Sequence, residues 1–209
     1  MNEKRPDLPY EKAAEETAKA VGKALDLVDQ ASPAIADIYN LLIGDRISEA
    51  QKRNADKFAR ETKRIFQERD IKGQRELPED LAATLLKAAM REPREELQRL
   101  FAALAVNAMD PAFIDDVRPE FVETVKKWQP LDLRAMQFAA SRRPPKPQFD
   151  LQQIEAGLTT VRLNAVAVSV DHLKNLGCLS APTATSYAIS PFGAEIIRAV
   201  SEHPEKDGK

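Results

Sequence analysis

Residues 77–111 read LPEDLAATLLKAAMREPREELQRLFAALAVNAMDP, and this stretch decides the fold. Pro78 stands where a helix begins, a position at which its missing N–H would have had no partner anyway. Leu81, Leu85, Leu86 and Ala89 then recur at the three- and four-residue steps of one helical face. Glu92-Pro93 ends that helix, because the proline ring crowds the helical backbone before it. A second run follows at once: Leu97, Leu100, Phe101, Leu104 and Ala108, stopping at Asp110-Pro111. Two helices joined by so short a break predict a helical hairpin.

Before the polar break Lys72-Gly73-Gln74, residues 45–70 read as one long charged helix. Ile47, Ala55, Phe58, Thr62, Ile65 and Phe66 gather on its apolar side. Arg46, Arg53, Lys57, Arg60 and Arg64 fall on another stripe, at a spacing that suits a phosphate backbone or an acidic partner. A plainer reading competes with this. Glu49, Asp56 and Glu61 lie three or four positions before Arg53, Arg60 and Arg64, and such pairs neutralise one another within a helix.

Further upstream, residues 10–30 carry Ala14, Ala18, Val21, Leu25 and Val28 on a thin, alanine-rich face, and a short helix follows the cap Ser32-Pro33. Its stripe of Ile35, Ile38, Leu41 and Leu42 is broader than the thin neighbour can cover. A homo-oligomer joined through those four residues is the expected solution, with residues 1–44 forming an amino-terminal interaction segment.

Downstream, Phe121, Val122, Val125 and Trp128 mark a helix that ends before Gln129-Pro130, and Leu131, Leu133, Met136 and Phe138 mark another. The run from Ser141 to Pro147 cannot continue a helix and reads as a linker. Beyond it, Ser169 is placed as the cap of a helix through Val170, Leu173 and Leu176, with Gly177 at a left-handed terminus. Cys178-Leu179 and Ser186 to Ile189 predict two short strands, and Ser190-Pro191 opens a last helix containing Ile196, Ile197 and Val200. Helix, hairpin, helix is the order found at the end of a winged helix. The expected fold is therefore mainly α: helical hairpins and long amphipathic helices over 45–140, a small winged-helix-like unit with a short β-hairpin over 148–202 closing a core of its own, and a disordered tail over 203–209.

Acidic and basic residues nearly cancel, 33 against 31, so no global field draws the chain to nucleic acid or membrane. A single cysteine, Cys178, excludes an internal disulfide and suits a reducing compartment, and with no export signal in view the expected location is the cytoplasm. Lys23, Asp26, Asp29, Asp37 and Pro33 interrupt the most apolar stretch, which argues against a membrane span and leaves peripheral contact open. His172 and His203 have no metal-binding spacing around them, and the glycines form no phosphate loop. No cofactor and no catalytic residue is expected, and Cys178 reads as a buried small hydrophobe. If the winged-helix-like unit bound DNA as a regulator, His172 and Lys174 would be its contacts, a sparse set for that task.

Several of these segments also occur together in a known family. Gly44-Asp45-Arg46-Ile47, Leu77-Pro78, Glu95 to Phe101 leading into Leu104 and Asn107-Ala108, Pro119 to Val125, and Gln129-Pro130-Leu131-Asp132 resemble the Abi-alpha (abortive infection alpha) family. Leu173 to Leu179, Tyr187-Ala188-Ile189 and Gly193 are similar to its end. The resemblance, over about 44–200, implies a bacterial protein of anti-phage defence, acting by binding or sensing, and transfers no catalytic residue.

Overall fold

The computed structural model describes residues 48–113, 117–142, 147–158 and 160–203. Ser48 opens its first helix, α1 (Glu49–Arg69): the Ser48 hydroxyl accepts the Gln51 N–H at 3.2 Å, and the Gln51 side chain accepts the Ser48 N–H at 2.8 Å. This reciprocal cap fixes Ser48 in an extended conformation, so α1 starts after it; Asp45 to Ile47, the first residues of the expected helix, lie outside the described residues. The hairpin follows as α2 (Glu79–Arg91) and α3 (Glu95–Met109), then α4 (Pro119–Val125) and α5 (Pro130–Ser141). Beyond the proline-rich stretch come α6 (Leu151–Gly157), α7 (Leu163–Asn175), strands β1 (Leu179–Ser180) and β2 (Ala188–Ile189), and α8 (Pro191–Ala199).

Helix α3 lies at the centre. Every residue from Leu100 to Asn107 is buried, and α1, α2, α4 and α8 all pack on it. The predicted stripes supply those contacts: Ala55, Phe58, Thr62 and Ile65 from α1, and Leu81, Leu85, Leu86 and Ala89 from α2. Polar side chains on the buried part of such a helix must find their partners locally. Asn107 Nδ2 accordingly donates to the Ala199 and Ser201 carbonyls at 2.8 and 3.0 Å, and Gln98 Nε2 to the Ala89 and Glu92 carbonyls at 2.6 and 2.5 Å. Arg69 at the end of α1 donates to Asn107 Oδ1 and pairs with Asp110.

The carboxy-terminal region has the expected order of helix, β-hairpin and helix, with β1 and β2 antiparallel in the register Leu179 opposite Ile189 and Ser180 opposite Ala188. A bridge between Phe149 and Tyr187 adds a third short extended segment before α6. Three expectations need correction. Ser169 is no helix cap; it sits inside α7, which starts six residues earlier, and its hydroxyl is drawn sideways to Asp132. Helix α6, opened by the reciprocal cap of Asp150 and Gln153, was not foreseen. Finally, this region does not close a core of its own: α5 packs on α7 and β2, Phe121 meets Phe192 edge-on at 5.8 Å, and Arg64 of α1 reaches Glu202 at 2.9 Å. Ile35, Ile38, Leu41, Leu42 and Arg46, like 204–209 of the expected tail, lie outside the described residues.

Gly193, in the first turn of α8, is the tightest approach. A Cβ there would stand 2.1 Å from the Cys178 carbonyl oxygen, which already accepts from the Ser190 N–H. Since that oxygen belongs to backbone, it cannot swing away as a side chain would. Gly193→Ala is therefore expected to lower stability by about 1–3 kcal/mol or to abolish folding, read from the urea midpoint.

Candidate functional site

The basic stripe foreseen on α1 is divided by the fold. Arg64 is fully engaged, binding Glu61 at 2.9 Å, Glu68 at 2.7 Å and Glu202 at 2.9 Å, and these carboxylates hold its guanidinium firmly protonated. The predicted Glu61 pairing is present, and Glu202 joins it from 138 residues away. Arg53 and Arg60 are exposed, and Lys57 is half-buried, its ammonium 3.9 Å from Glu95 of α3. Glu49 takes Lys52 as its closest partner at 2.8 Å, and that contact, with a smaller contribution from Arg53, holds its carboxyl below the ordinary range. Asp56 is buried, which pushes its carboxyl up against the opposing pull of Arg60, and its Oδ1 has no hydrogen-bond partner.

Lys57 and Arg60 come together with α3 around a shallow cleft of about 140 Å³, completed by Glu61, Glu95, Gln98 and Arg99. Sequence reasoning placed the α1 cations on one face but had no means of finding the α3 residues, because their proximity depends on the packing of two helices. Arg99 is exposed, whereas Gln98 is 1% exposed with its amide nitrogen committed to two backbone carbonyls.

A second polar cluster surrounds Asp132 in the first turn of α5. Its carboxylate is 2% exposed and accepts from the Gln129 N–H at 2.7 Å, the Ser169 hydroxyl at 2.5 Å and His172 Nδ1 at 2.8 Å. Serine and histidine both point at the carboxylate, whereas in a hydrolytic triad the imidazole stands between carboxylate and hydroxyl. The cluster pins α7 to α5. It also occupies His172, one of the two residues named for nucleic acid. The other, Lys174, is paired with Asp171 at 3.2 Å and lies 5.7 Å above the Tyr187 ring. The outward face of α7 presents Asn164, Ala165, Val168, Asp171 and Asn175, with Val168 72% exposed.

Cys178 is buried beside Trp128, whose indole N–H finds no oxygen or nitrogen acceptor, and burial pushes the thiol up to about 11. A thiol so far from ionisation at neutral pH is inert as a nucleophile. Among the described residues no group of three or more His, Cys, Asp or Glu side chains is placed to hold a metal ion, and no helix is long and apolar enough to cross a membrane.

Residues 50–191 match the family model described as abortive infection alpha. No curated protein and no solved structure matches the chain.

Three substitutions separate the roles of Asp132 and Asp56. Asp132→Ala strips three donors of their acceptor and is expected to cost roughly 3 kcal/mol in urea unfolding, against about 1 kcal/mol for Ser169→Ala. Asp56 has the opposite sign. Its raised folded pKa means that ionisation at neutral pH opposes folding, a cost that fades as pH falls and the carboxyl is protonated. Asp56→Asn should therefore raise the urea midpoint at pH 7, with the gain shrinking toward about pH 4, where the unfolded carboxyl also protonates.

Proposed function

The chain belongs to the abortive infection alpha family, and from that premise we propose that it is a non-enzymatic anti-phage defence protein that binds an acidic partner, of phage or host origin, through the α1 basic face and the adjoining end of α3. The observation that carries this reading is the division of the stripe. Arg64 is spent on holding the fold together, while Arg53, Lys57 and Arg60 stay at the surface, joined there by Arg99 from a different helix. Cations gathered from two helices around one cleft make a more specific surface than a single self-paired face. Self-association through Ile35, Ile38, Leu41 and Leu42 remains part of the proposal on sequence grounds, as does a cytoplasmic location. Regulation through DNA draws less support, since His172 and Lys174 are both engaged within the fold.

Phage plating tests the proposal. Cells carrying the gene should yield at least about tenfold fewer plaques with a susceptible phage than cells without it. Combining Arg53→Glu, Lys57→Glu and Arg60→Glu should restore plaque counts while the protein accumulates and melts normally, because reversing charges on a recognition surface places like charges opposite the partner. Equal plaque counts with and without the gene over a broad panel would overturn the defence role. Full protection by the charge-reversed protein would overturn the surface assigned to it.

A further inference from the structure

Gln98 sets the chemistry of the cleft between α1 and α3. Its Nε2 donates to the Ala89 and Glu92 carbonyls at 2.6 and 2.5 Å. Both partners are carbonyl oxygens, so the amide cannot be flipped without exchanging two hydrogen bonds for two repulsions. Its Oε1 is thereby turned away from them, buried and without a partner, on a residue that lines the cleft. An acceptor in that position calls for a donor. The cations at the mouth call for an anion: Lys57 stands 3.9 Å from Glu95, Glu61 is held by Arg64, and Arg99 has no carboxylate within ion-pair distance among the described residues. The cleft lies at the amino-terminal end of the 15-residue α3, where the helix dipole also favours negative charge.

Few small groups present both an anionic oxygen and an O–H. A phosphate bearing one or no ester does so in its monoprotonated form: its charged oxygens can face Lys57, Arg60 and Arg99 while its hydroxyl donates to Gln98 Oε1. Sulfate and an internal phosphodiester have similar shape but no O–H at neutral pH, and would leave that oxygen unpaired. About 140 Å³ admits one tetrahedral oxyanion and leaves the rest of a larger molecule outside. We propose that the cleft is a site for a terminal phosphate group, free hydrogen phosphate or a phosphomonoester, that selects the protonated oxyanion. This deepens the acidic-partner reading and rests on it for its biological meaning.

The test is an NMR titration of the full chain at about pH 6, near the second ionisation of a phosphomonoester, with inorganic phosphate, O-phosphoserine, sulfate and dimethyl phosphate as probes. Phosphate and phosphoserine should shift the backbone amides of Lys57, Gln98 and Arg99 saturably, with sulfate and dimethyl phosphate about tenfold weaker or more, as expected for one unmet buried hydrogen bond. The tighter of the first two probes tells ester from free phosphate. Arg99→Gln, at an exposed position, should weaken phosphate about tenfold with an unchanged melting curve. Gln98→Met, if folded, should erase the preference over sulfate, and Arg99→Gln carries the test if it is not. Equal binding of sulfate and phosphate, or no saturable shift with any probe, overturns the proposal, the latter leaving Gln98 Oε1 to water. Failure here with an intact charge-reversal effect on plaques removes only the phosphate chemistry. Phosphate binding without any plaque phenotype removes the defence role instead.

Discussion

A helix segment buried on every side has no solvent to satisfy its polar groups, and α3, exposed only at Glu95, Glu96 and Arg99, imposes that constraint on the whole molecule. Its apolar residues could have been met by many neighbours, but Gln98 and Asn107 could not. The Gln98 amide nitrogen is satisfied by the carbonyls where α2 ends, which fixes the hairpin turn. Asn107 is satisfied by the carbonyls where α8 ends, which fixes the last helix against the first hairpin. Burial of leucine and alanine drives the collapse. The two amides decide which arrangement of the collapsed helices is acceptable, since a buried amide without a partner costs about 1–3 kcal/mol.

The same reasoning separates structural charge from charge left available. Glu92 shows the structural case: burial by itself would raise its carboxyl, but hydrogen bonds from Arg94 outweigh that and hold it below its ordinary value. Arg94 in turn reaches Gln129 at 2.7 Å, and the Gln129 N–H is held by Asp132. A chain of polar contacts thus runs from the α2–α3 turn to α7, tying hairpin to carboxy-terminal region. At the cleft, Arg60 and Arg99 belong to no such chain, and for that reason they can serve a partner.

Much of this was legible in the sequence where the signal was local. Proline positions, helical periodicity, Gly177 at a positive φ of 75° and the Ser190 cap all act within a few residues, and each falls where it was expected. Ser169 was misread because a serine before an apolar run is a cap only if the chain is extended there, and nothing local reveals an Asp132 carboxylate 37 residues away. Helix α6 announced itself through Asp150 and Gln153, a reciprocal cap spaced like that of Ser48 and Gln51, but it is only seven residues long and shows little periodicity. The α1 cations were readable as a stripe. Gln98 and Arg99 were visible only as part of the segment that carries the family resemblance, since what gives them a role is a neighbouring helix.

The link from Asn107 to Ser201, together with that from Arg64 to Glu202, bears on how the molecule is made. These contacts span 94 and 138 positions, so the first described helix and the central one are completed by residues synthesised long after them. Contacts at such separation form only once the loop-closure entropy of the intervening chain has been overcome. On the ribosome α1 to α3 emerge before α8, so the Asn107 amide nitrogen meets its partner carbonyls only after nearly all of the described chain has been made.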